Sequence, residues 1–293
     1  MLYILIGIGL GIGFALIKNS FNNKLRTIDD LESYSVPLLS TIPNISSVSK
    51  KISKDTPGKV NPDMISFYKP LHPISESYRN LRTNIKLSIA DKEVKSILVS
   101  SPGPAEGKTT ITCNLGISYA NMGQKTLIID TDLRKSNVHN AFGLSRKKGL
   151  VDYLTNDIPI KDIIKETKQN NLFIISAGGH PPNPSELLNS NKMSKLMSHL
   201  REIWDNIIYD SPPIIPVTDS LILANNVDFI IISTMIEKTH RPAVSHALEK
   251  FKRVNSEVNG FVMNGIEKKH RKYSKYGYNY RRYYKYYSDA SKV

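Results

Sequence analysis

Six short and almost uninterrupted apolar segments between residues 96 and 264 constrain the fold of this chain most strongly. They read SILVSS, TLIID, LFIIS, NIIYD, DFIIIST and GFVMN, and they are rich in β-branched residues but too short for independent helices. Strands of this kind are buried on both faces, as in a parallel sheet covered by helices. Longer amphipathic segments alternate with them. The sequence therefore predicts an α/β fold with a doubly wound, mainly parallel sheet flanked by helices and a ligand site at the carboxyl ends of its strands.

The N-terminal seventeen residues, MLYILIGIGLGIGFALI, contain no charged side chain, and Lys18, Lys24 and Arg26 follow them. The run is just long enough to cross a hydrocarbon core. It lacks the basic segment and the cleavage site of a secretory signal, and its basic C-terminal flank favours a cytoplasmic location for the remainder. We therefore predict a transmembrane helix at 1–17 and a single-pass location in the inner, cytoplasmic membrane. Its alternate glycines either allow close helix packing in lipid or only weaken the helix.

The remaining chain divides into three predicted segments. Residues 18–73 form a cytoplasmic juxtamembrane segment and linker, because residues 45 to 73 are rich in Ser, Lys and Pro without a sustained hydrophobic period. Residues 74–266 form the α/β domain, which begins with the helical pattern ISESYRNLRTNIKLSIA. Residues 267–293 contain the sequence YSKYGYNYRRYYKYY and almost nothing apolar, so we predict a disordered tail.

Positive charge is concentrated in this tail. The formal net charge of the chain is +14, and residues 267–293 hold nine Lys/Arg against two acidic residues, a net charge of +7 and half of the total. Such an excess favours anionic partners such as phosphate, acidic lipid or nucleic acid. The single cysteine, Cys113, excludes an internal disulfide bond and fits a reducing compartment.

The first predicted strand of the domain leads into SSPGPAEGKTTITCNLG, where Gly107-Lys108-Thr109 resembles the end of a P-loop. Backbone N–H groups and the dipole of the following helix favour phosphate at such a junction. Lys108 would reach the outer phosphates and the Thr109 hydroxyl would bind Mg²⁺. Pro102 replaces the usual first glycine of the motif. The other loop residues expected at the nucleotide are Gly103, Glu106 and Thr110.

Three aspartates follow predicted strands at the same edge of the sheet. TLIIDTDLRK ends its strand at Asp130 and Asp132, and NIIYDSPP ends its strand at Asp210. A buried carboxylate at a strand end is costly unless it is paired or lies near a metal ion. The three aspartates are therefore expected to converge with the loop on one Mg²⁺-nucleotide, unless one of them only caps the following helix or turn. The sequence indicates an ATPase or kinase.

Several motifs in this order resemble those of the bacterial tyrosine kinases that regulate capsular and extracellular polysaccharide. DTDLRK resembles the Walker A′ motif of that family, IIYDSPP its Walker B motif and SAGGHPPNPSELLNS its proline-rich loop. ESYRNLR resembles its E-x-x-R-x-x-R motif through Glu76, Arg79 and Arg82. The N-terminus resembles the last transmembrane helix and juxtamembrane segment of a chain-length-determinant protein, without the extracytoplasmic domain. Either a separate protein supplies that domain or this is a shortened variant.

The resemblance implies a protein-tyrosine kinase that uses ATP and Mg²⁺. Lys108 would bind phosphate, Asp132 and Asp210 would hold Mg²⁺ together with Thr109, and Asp130 would accept the tyrosine proton. Arg134 would hold phosphate or the acceptor, or else pair with a surface carboxylate. Asn264 would meet the adenine base, or else cap a turn.

The resemblance also implies partners. Glu76, Arg79 and Arg82 would contact the next subunit of a ring, which would place each tail at a neighbouring active site. The expected autophosphorylation sites are Tyr273, Tyr276, Tyr278, Tyr280, Tyr283, Tyr284, Tyr286 and Tyr287. Further partners would be a polysaccharide co-polymerase, or chain-length determinant, of the membrane and a cognate tyrosine phosphatase.

Two other functions compete with this interpretation. The first is a membrane-associated partition or positioning ATPase with the same fold, although SSPGPAEGK lacks the second lysine that many such proteins carry before Lys108. The second is a tail that binds anionic lipid or single-stranded nucleic acid through its alternating aromatic and basic residues. A nucleotide site beside a membrane anchor argues against nucleic acid as the main partner.

Overall fold

An eight-stranded sheet forms the centre of the computed structural model, which describes residues 3, 23–56, 58, 60–89 and 93–267. Its strands are β1 (Leu38–Pro43), β2 (Ser96–Ser100), β3 (Thr126–Asp130), β4 (Ile164–Glu166), β5 (Leu172–Ile175), β6 (Asn206–Asp210), β7 (Phe229–Met235) and β8 (Gly260–Ile266). They lie in the order β1-β8-β7-β2-β6-β3-β5-β4. Strand β4 is antiparallel to β5, and the other pairings are parallel. The predicted doubly wound α/β architecture is confirmed.

Ten helices of the described residues cover the two faces of the sheet. They are α1 (Ser46–Asp55), α2 (Ile65–Tyr68), α3 (Pro73–Ser88), α4 (Lys108–Ala120), α5 (Val138–Phe142), α6 (Leu150–Thr155), α7 (Pro184–Leu188), α8 (Asn191–Ile203), α9 (Asp219–Ala224) and α10 (Arg241–Arg253). Short 3-10 turns occupy Ile28–Leu31 and Ile160–Asp162. Helices α1 to α5 contribute to the hydrophobic core on one face, and α6 to α10 to the core on the other.

The six apolar segments form β2, β3, β5, β6, β7 and β8, as their composition predicts. In β2, β3 and β6 every residue is buried, because helices cover both sides of these central strands. The helical pattern after residue 73 forms α3, which buries Tyr78, Leu81 and Ile85. Pro73 occupies its first turn, and the His72 ring accepts a hydrogen bond from the Ile74 amide at 3.1 Å. Local sequence signals thus account for the interior of the domain.

The prediction that residues 45 to 73 form a linker is wrong. Helices α1 and α2 lie in this segment, and Ile52, Val60, Met64 and Ile65 are buried against the domain. The side chain of buried Asn114 on α4 binds this segment. Its Oδ1 accepts a hydrogen bond from the Ser66 backbone amide, and its Nδ2 donates to the Asp63 backbone carbonyl, both at 3.0 Å. Only a few apolar side chains, separated by polar ones, make this contact. A hydrophobic period therefore does not reveal it.

Strand β1 was also missed, although it lies in the predicted juxtamembrane segment. It pairs in parallel with β8 and forms one edge of the sheet. Ser40, Thr41 and Pro43 interrupt its apolar pattern, and an edge strand tolerates such residues because it needs a partner on one side only. The described part of residues 18–73 therefore shares the sheet and the core of the domain.

The predicted transmembrane helix at 1–17 lies outside the described residues except for Tyr3, and the tyrosine-rich tail lies outside them except for Glu267. Within the described ranges, no helix combines the length and the apolar character that crossing a membrane requires.

Replacing Ile65 with alanine tests the packing of the supposed linker. Ile65 is fully buried, so Ile65→Ala is expected to lower the free energy of unfolding by about 2–5 kcal/mol. The measurement is urea denaturation of the full chain, with exposed Ser53→Ala of α1 as the control. A loss of no more than the control shows would mean that the segment does not pack against the domain.

Candidate active site

A cavity of about 860 Å³ opens where the carboxyl ends of β2, β3 and β6 meet. Three loops line it, which comprise residues from 102–110, 132–137 and 212–217. Ligands of open α/β sheets bind at this edge, because the loops and helix N-termini that follow the strands converge there. The predicted loop residues Gly103, Gly107, Lys108, Thr109 and Thr110 all line the cavity.

The loop after β2 presents its backbone to this cavity. Ala105 and Gly107 adopt left-handed conformations, with φ of 54° and 87°. Left-handed residues in such a loop turn neighbouring N–H groups to one side and form a concavity that binds anions. A Cβ on Gly107 would lie 2.4 Å from Nδ2 of Asn264, so both the backbone angle and the available space require glycine. The N-cap residue of α4 is Gly107, so no side chain occupies the first N–H groups of this helix. These groups can therefore donate hydrogen bonds to phosphate oxygens.

Glu106 and Asn264 hold the loop from behind. The carboxylate of Glu106, which is 3% exposed, accepts hydrogen bonds from the Gly103 amide and the Thr239 hydroxyl. Nδ2 of Asn264 donates to the Glu106 carbonyl at 2.9 Å and to the Ser233 hydroxyl at 3.0 Å. Neither residue lines the cavity. Both were predicted at the nucleotide, but the structure uses their side chains to shape the loop that faces it.

The segment 236–241, which follows β7, braces the same loop and was not predicted. Nζ of Lys238 donates to the Ala105 carbonyl at 2.8 Å. The far side of this segment pairs with the juxtamembrane chain: the Leu25 amide donates to the Thr239 carbonyl at 2.8 Å, and the Glu237 amide donates to the Leu25 carbonyl at 2.7 Å. The described start of the chain is therefore connected to the phosphate loop through two layers of hydrogen bonds, with the segment 236–241 between them.

Asp130 and Asp210 end the neighbouring strands β3 and β6 in the same register. They are 0% and 1% exposed. The Thr109 hydroxyl donates to Oδ2 of Asp210 at 2.6 Å, and the Thr112 hydroxyl donates to its Oδ1 at 3.2 Å. The strand ends and the start of α4 thus converge on one point, as the sequence predicts.

The carboxylates of Asp130 and Asp132 each accept hydrogen bonds from backbone amides that follow them in the chain. Oδ2 of Asp130 accepts the Asn137 and Val138 amides, both at 3.1 Å, and so caps the start of α5. Oδ1 of Asp130 is buried without a hydrogen-bond partner. Asp132 borders the cavity and accepts the Lys135 amide at 2.8 Å. Both carboxylates therefore cap a turn; Asp132 lines the cavity, whereas Asp130 lies buried behind the lining.

The electrostatics of Asp130 and Asp210 favour the binding of a divalent cation. Burial and the negative charge of Asp210 raise the pKa of Asp130 well above its usual range. Burial raises the pKa of Asp210 to about 6, although Lys108 and the Thr109 hydrogen bond oppose the shift. Two buried carboxylates that repel each other, one with an unpartnered oxygen, need positive charge nearby. Mg²⁺ prefers such oxygen donors and phosphate, so the residues present fit Mg-ATP.

Arg134 lies at the rim of the cavity, but a carboxylate holds it. Its guanidinium donates to the two oxygens of Asp219 at 2.9 and 3.2 Å, and Asp219 is fully buried at the start of α9. The hydrogen bond to Asp219 raises the pKa of Arg134. The sequence left open whether Arg134 pairs with a surface carboxylate; the structure pairs it with a carboxylate, but with a buried one. Asp219 itself was not predicted, because no local motif marks it.

The residues predicted for oligomerisation lie on α3, away from the cavity. Arg79 forms an ion pair with Glu76 and donates to the Pro70 carbonyl at 2.8 Å. Arg82 turns inward to the Ser118 carbonyl and hydroxyl of α4, and burial lowers its pKa. Arg82 thus has an intramolecular partner, while Glu76 and Arg79 neutralise each other on the same helix.

The fold and site define a nucleotide-binding protein of the P-loop class, and residues 94–263 match the family model of the AAA domain. Tyrosine-protein kinase YwqD of Bacillus subtilis is 35% identical over 227 residues, which cover 78% of this chain and 95% of the relative. Putative tyrosine-protein kinase CapB of Staphylococcus aureus is 38% identical over 211 residues, covering 71% and 92%. The chain belongs to the family of bacterial tyrosine-protein kinases.

A solved structure agrees with this assignment. The crystal structure of the chimerical protein CapA2B2 superposes with a TM-score of 0.73 at 31% identity, covering 82% of this chain and 99% of that chain. The predicted enzyme class, a protein-tyrosine kinase, is confirmed.

The stability of the metal-free protein is expected to fall as the pH rises from about 4 to above 6. Asp210 has a pKa of about 6 in the folded protein and an ordinary value of 3.8, so folding favours its protonated form. The shift of roughly two units contributes about 3 kcal/mol, which is fully present below pH 4 and is lost as the pH passes through 6. Urea denaturation in EDTA at pH 5 and pH 8 measures this, and Asp210→Asn should flatten the difference. An equally steep pH dependence in Asp210→Asn would assign the effect to other groups.

Replacing Asn264 tests whether its side chain supports the phosphate loop or contacts the adenine base of the nucleotide. Asn264→Ala removes one of the two donors to the Glu106 carbonyl, so we expect about tenfold weaker binding of ATP, GTP and inorganic tripolyphosphate alike. The measurement is the Kd of each ligand with Mg²⁺, and Ser233→Ala, which removes the other donor to this carbonyl, should also weaken all three ligands alike. Loss confined to ATP would show that Asn264 reads adenine.

Proposed function

We propose that this chain is an ATP- and Mg²⁺-dependent kinase that phosphorylates the tyrosine cluster of its own tail. The transfer occurs in trans within a ring of identical subunits and regulates the polymerisation and export of capsular or extracellular polysaccharide. The observation that carries the proposal is the pair of Asp130 and Asp210, of which Asp210 contacts Thr109 and is influenced by Lys108, while one oxygen of Asp130 is unpartnered. A phosphate site with a spare buried base suits transfer to a hydroxyl group.

The phosphate groups are bound by the loop and by Lys108. Backbone N–H groups of the loop and of α4 surround the β- and γ-phosphates, and Lys108, which is 8% exposed, neutralises their charge. Thr109, Asp132 and Asp210 hold Mg²⁺ and its waters. When bound, Mg²⁺ neutralises the γ-phosphate and so favours attack by an oxygen nucleophile. Arg134, oriented by Asp219, faces the phosphate or the acceptor from the rim.

Asp130 accepts the proton of the acceptor tyrosine. A phenol has a pKa of about 10, so a carboxylate placed beside it assists its deprotonation. Burial raises the pKa of Asp130 and makes it a stronger base, while the Asn137 and Val138 amides hold its orientation. The phenolic proton moves to Oδ1, the phenolic oxygen bonds to the γ-phosphorus, and the bond to the departing ADP breaks.

Ring formation would use the α3 surface with Glu76, Arg79 and Arg82. A head-to-tail contact that closes on itself places each tail at the next active site. Each phosphate adds roughly −1.5 to −2 charges, so four or five would reverse the +7 of residues 267–293. The resulting repulsion between tails would open the ring. Identical assembly and disassembly of a chain without residues 267–293 would disprove this step.

The proposed organisation includes a transmembrane helix at 1–17, a kinase domain that comprises residues 74–266 together with β1, α1 and α2 of the segment 18–73, and a tail at 267–293. Its partners are a membrane co-polymerase of the chain-length-determinant type and a tyrosine phosphatase. The contact of residues 23–25 with the segment behind the phosphate loop supports a role for the membrane-proximal chain in nucleotide binding.

The test is phosphosite mapping of the purified full chain after incubation with Mg-ATP. We expect phosphotyrosine mainly in residues 273–287, at least about a hundredfold less in Lys108→Met, and none in the tail when its eight tyrosines become Phe. Mixing Lys108→Met with an active chain whose tail tyrosines are Phe should restore tail phosphorylation, because transfer occurs between subunits. Turnover of ATP without phosphotyrosine would instead indicate a positioning ATPase, with the tail binding lipid or nucleic acid.

A further inference from the structure

Four basic side chains converge beside the catalytic cavity, on the side of the proline-rich loop. Arg146 lies before α6 and approaches both ring nitrogens of His180, with 3.1 Å between Nη2 and Nδ1. Nζ of Lys165 on β4 donates to the Ser176 hydroxyl, which donates to the Arg146 carbonyl at 3.0 Å. Burial lowers the pKa of His139 on α5, and the positive charges of Arg146 and Lys165 lower it further. We name His139, Arg146, Lys165 and His180 the basic cluster.

Among the residues that the structure describes, no member of the basic cluster forms a salt bridge. Nδ1 of His139 and Nε of Arg146 are buried without a hydrogen-bond partner. Asp152 is the nearby carboxylate: it accepts the Gly149 amide at 2.8 Å, and its charge opposes the lowering of the Lys165 pKa by burial. Within this part of the chain, the Arg146 guanidinium thus has no carboxylate in direct contact, which favours an anion with several oxygen atoms beside it.

The position of the basic cluster connects it with the product of the reaction. His139 follows Asn137, which lines the catalytic cavity, and Val138, whose amide binds Asp130. His180 is exposed at the start of the proline-rich loop. Phosphoryl transfer at Asp130 would therefore release phosphotyrosine within a few residues of the cluster.

We propose that the basic cluster binds the phosphate of a tail tyrosine after transfer, which deepens the proposed function and depends on it. The guanidinium of Arg146 can donate two parallel hydrogen bonds to a phosphate dianion, and the exposed His180 ring, which accepts a hydrogen bond from Arg146, holds the guanidinium at the surface. The unmodified tail is positively charged and is repelled by the cluster, whereas a phosphorylated segment is attracted. Retention of the modified segment keeps the tail at the subunit that modified it and presents the next tyrosine to the cavity.

Binding of a synthetic peptide tests this proposal without requiring catalysis. The protein is the full chain with its eight tail tyrosines changed to Phe, and no ATP is added. The probe is a labelled peptide of residues 278–287 that carries phosphate on Tyr284, and fluorescence anisotropy gives its Kd. We expect this peptide to bind at least about tenfold more tightly than the unphosphorylated peptide and than inorganic phosphate used as a competitor.

Two variants locate the site, and one controls for net charge. Arg146→Gln and His180→Gln should each weaken binding of the phosphopeptide at least about fivefold. Exposed Lys252→Gln on α10 removes the same charge elsewhere and should change it less than twofold. His180 is exposed, so its variant keeps the test valid even if Arg146→Gln unfolds, which thermal denaturation would reveal.

The outcomes separate this proposal from the proposed function. Equal affinity of the parent and His180→Gln proteins for the phosphopeptide would overturn the site, and so would inorganic phosphate that competes as well as the peptide does. Tight binding that depends on the cluster supports the site whether or not the phosphosite mapping finds transfer to the tail. If only the phosphosite mapping fails, the proposed autophosphorylation of the tail is disproved and the phosphotyrosine-binding site remains.

Discussion

The repulsion between Asp130 and Asp210 is the constraint on which the rest of the site depends. The register of β3 and β6 forces these carboxylates together in a buried position, which is unfavourable unless donors and positive charge surround them. The Thr109 hydroxyl, the amides that start α5 and the ammonium group of Lys108 supply part of this compensation. A metal ion with a nucleotide, as proposed above, would supply the remainder. The same repulsion that is expected to lower the stability of the metal-free protein would then favour binding of this ligand.

The phosphate loop in turn depends on groups behind it. Glu106 and Asn264 set its shape, and Lys238 holds the Ala105 carbonyl. Residues 23–25 pair with the segment that carries Lys238. A force or a partner acting on the start of the chain would reach the phosphate site through two layers of hydrogen bonds, without any change in the cavity lining itself.

Most of the central sheet could be predicted from composition, whereas its edges could not. Central strands are buried on both faces, so their sequences become continuous apolar runs that stand out along the chain. Strand β1 and the three-residue β4 are edge strands with polar residues, and α1 and α2 pack through isolated side chains such as Ile52 and Ile65. The positions of these elements depend on the surface against which they pack, and their own sequences show no hydrophobic pattern that predicts them.

The sequence by itself determined the kinds of groups at the site and the edge of the sheet at which they lie. Gly107-Lys108-Thr109 follows one strand and the aspartates follow others, and parallel strands bring such positions to one edge. Only the tertiary structure decided which groups face the cavity. Asn264 and Glu106 turn behind the loop, Arg134 is held by Asp219, and His180 meets Arg146, because each contact joins residues that are distant in sequence or lie on different elements. Local patterns record burial and spacing, whereas the direction of a polar side chain depends on which partner the completed fold places within hydrogen-bond reach.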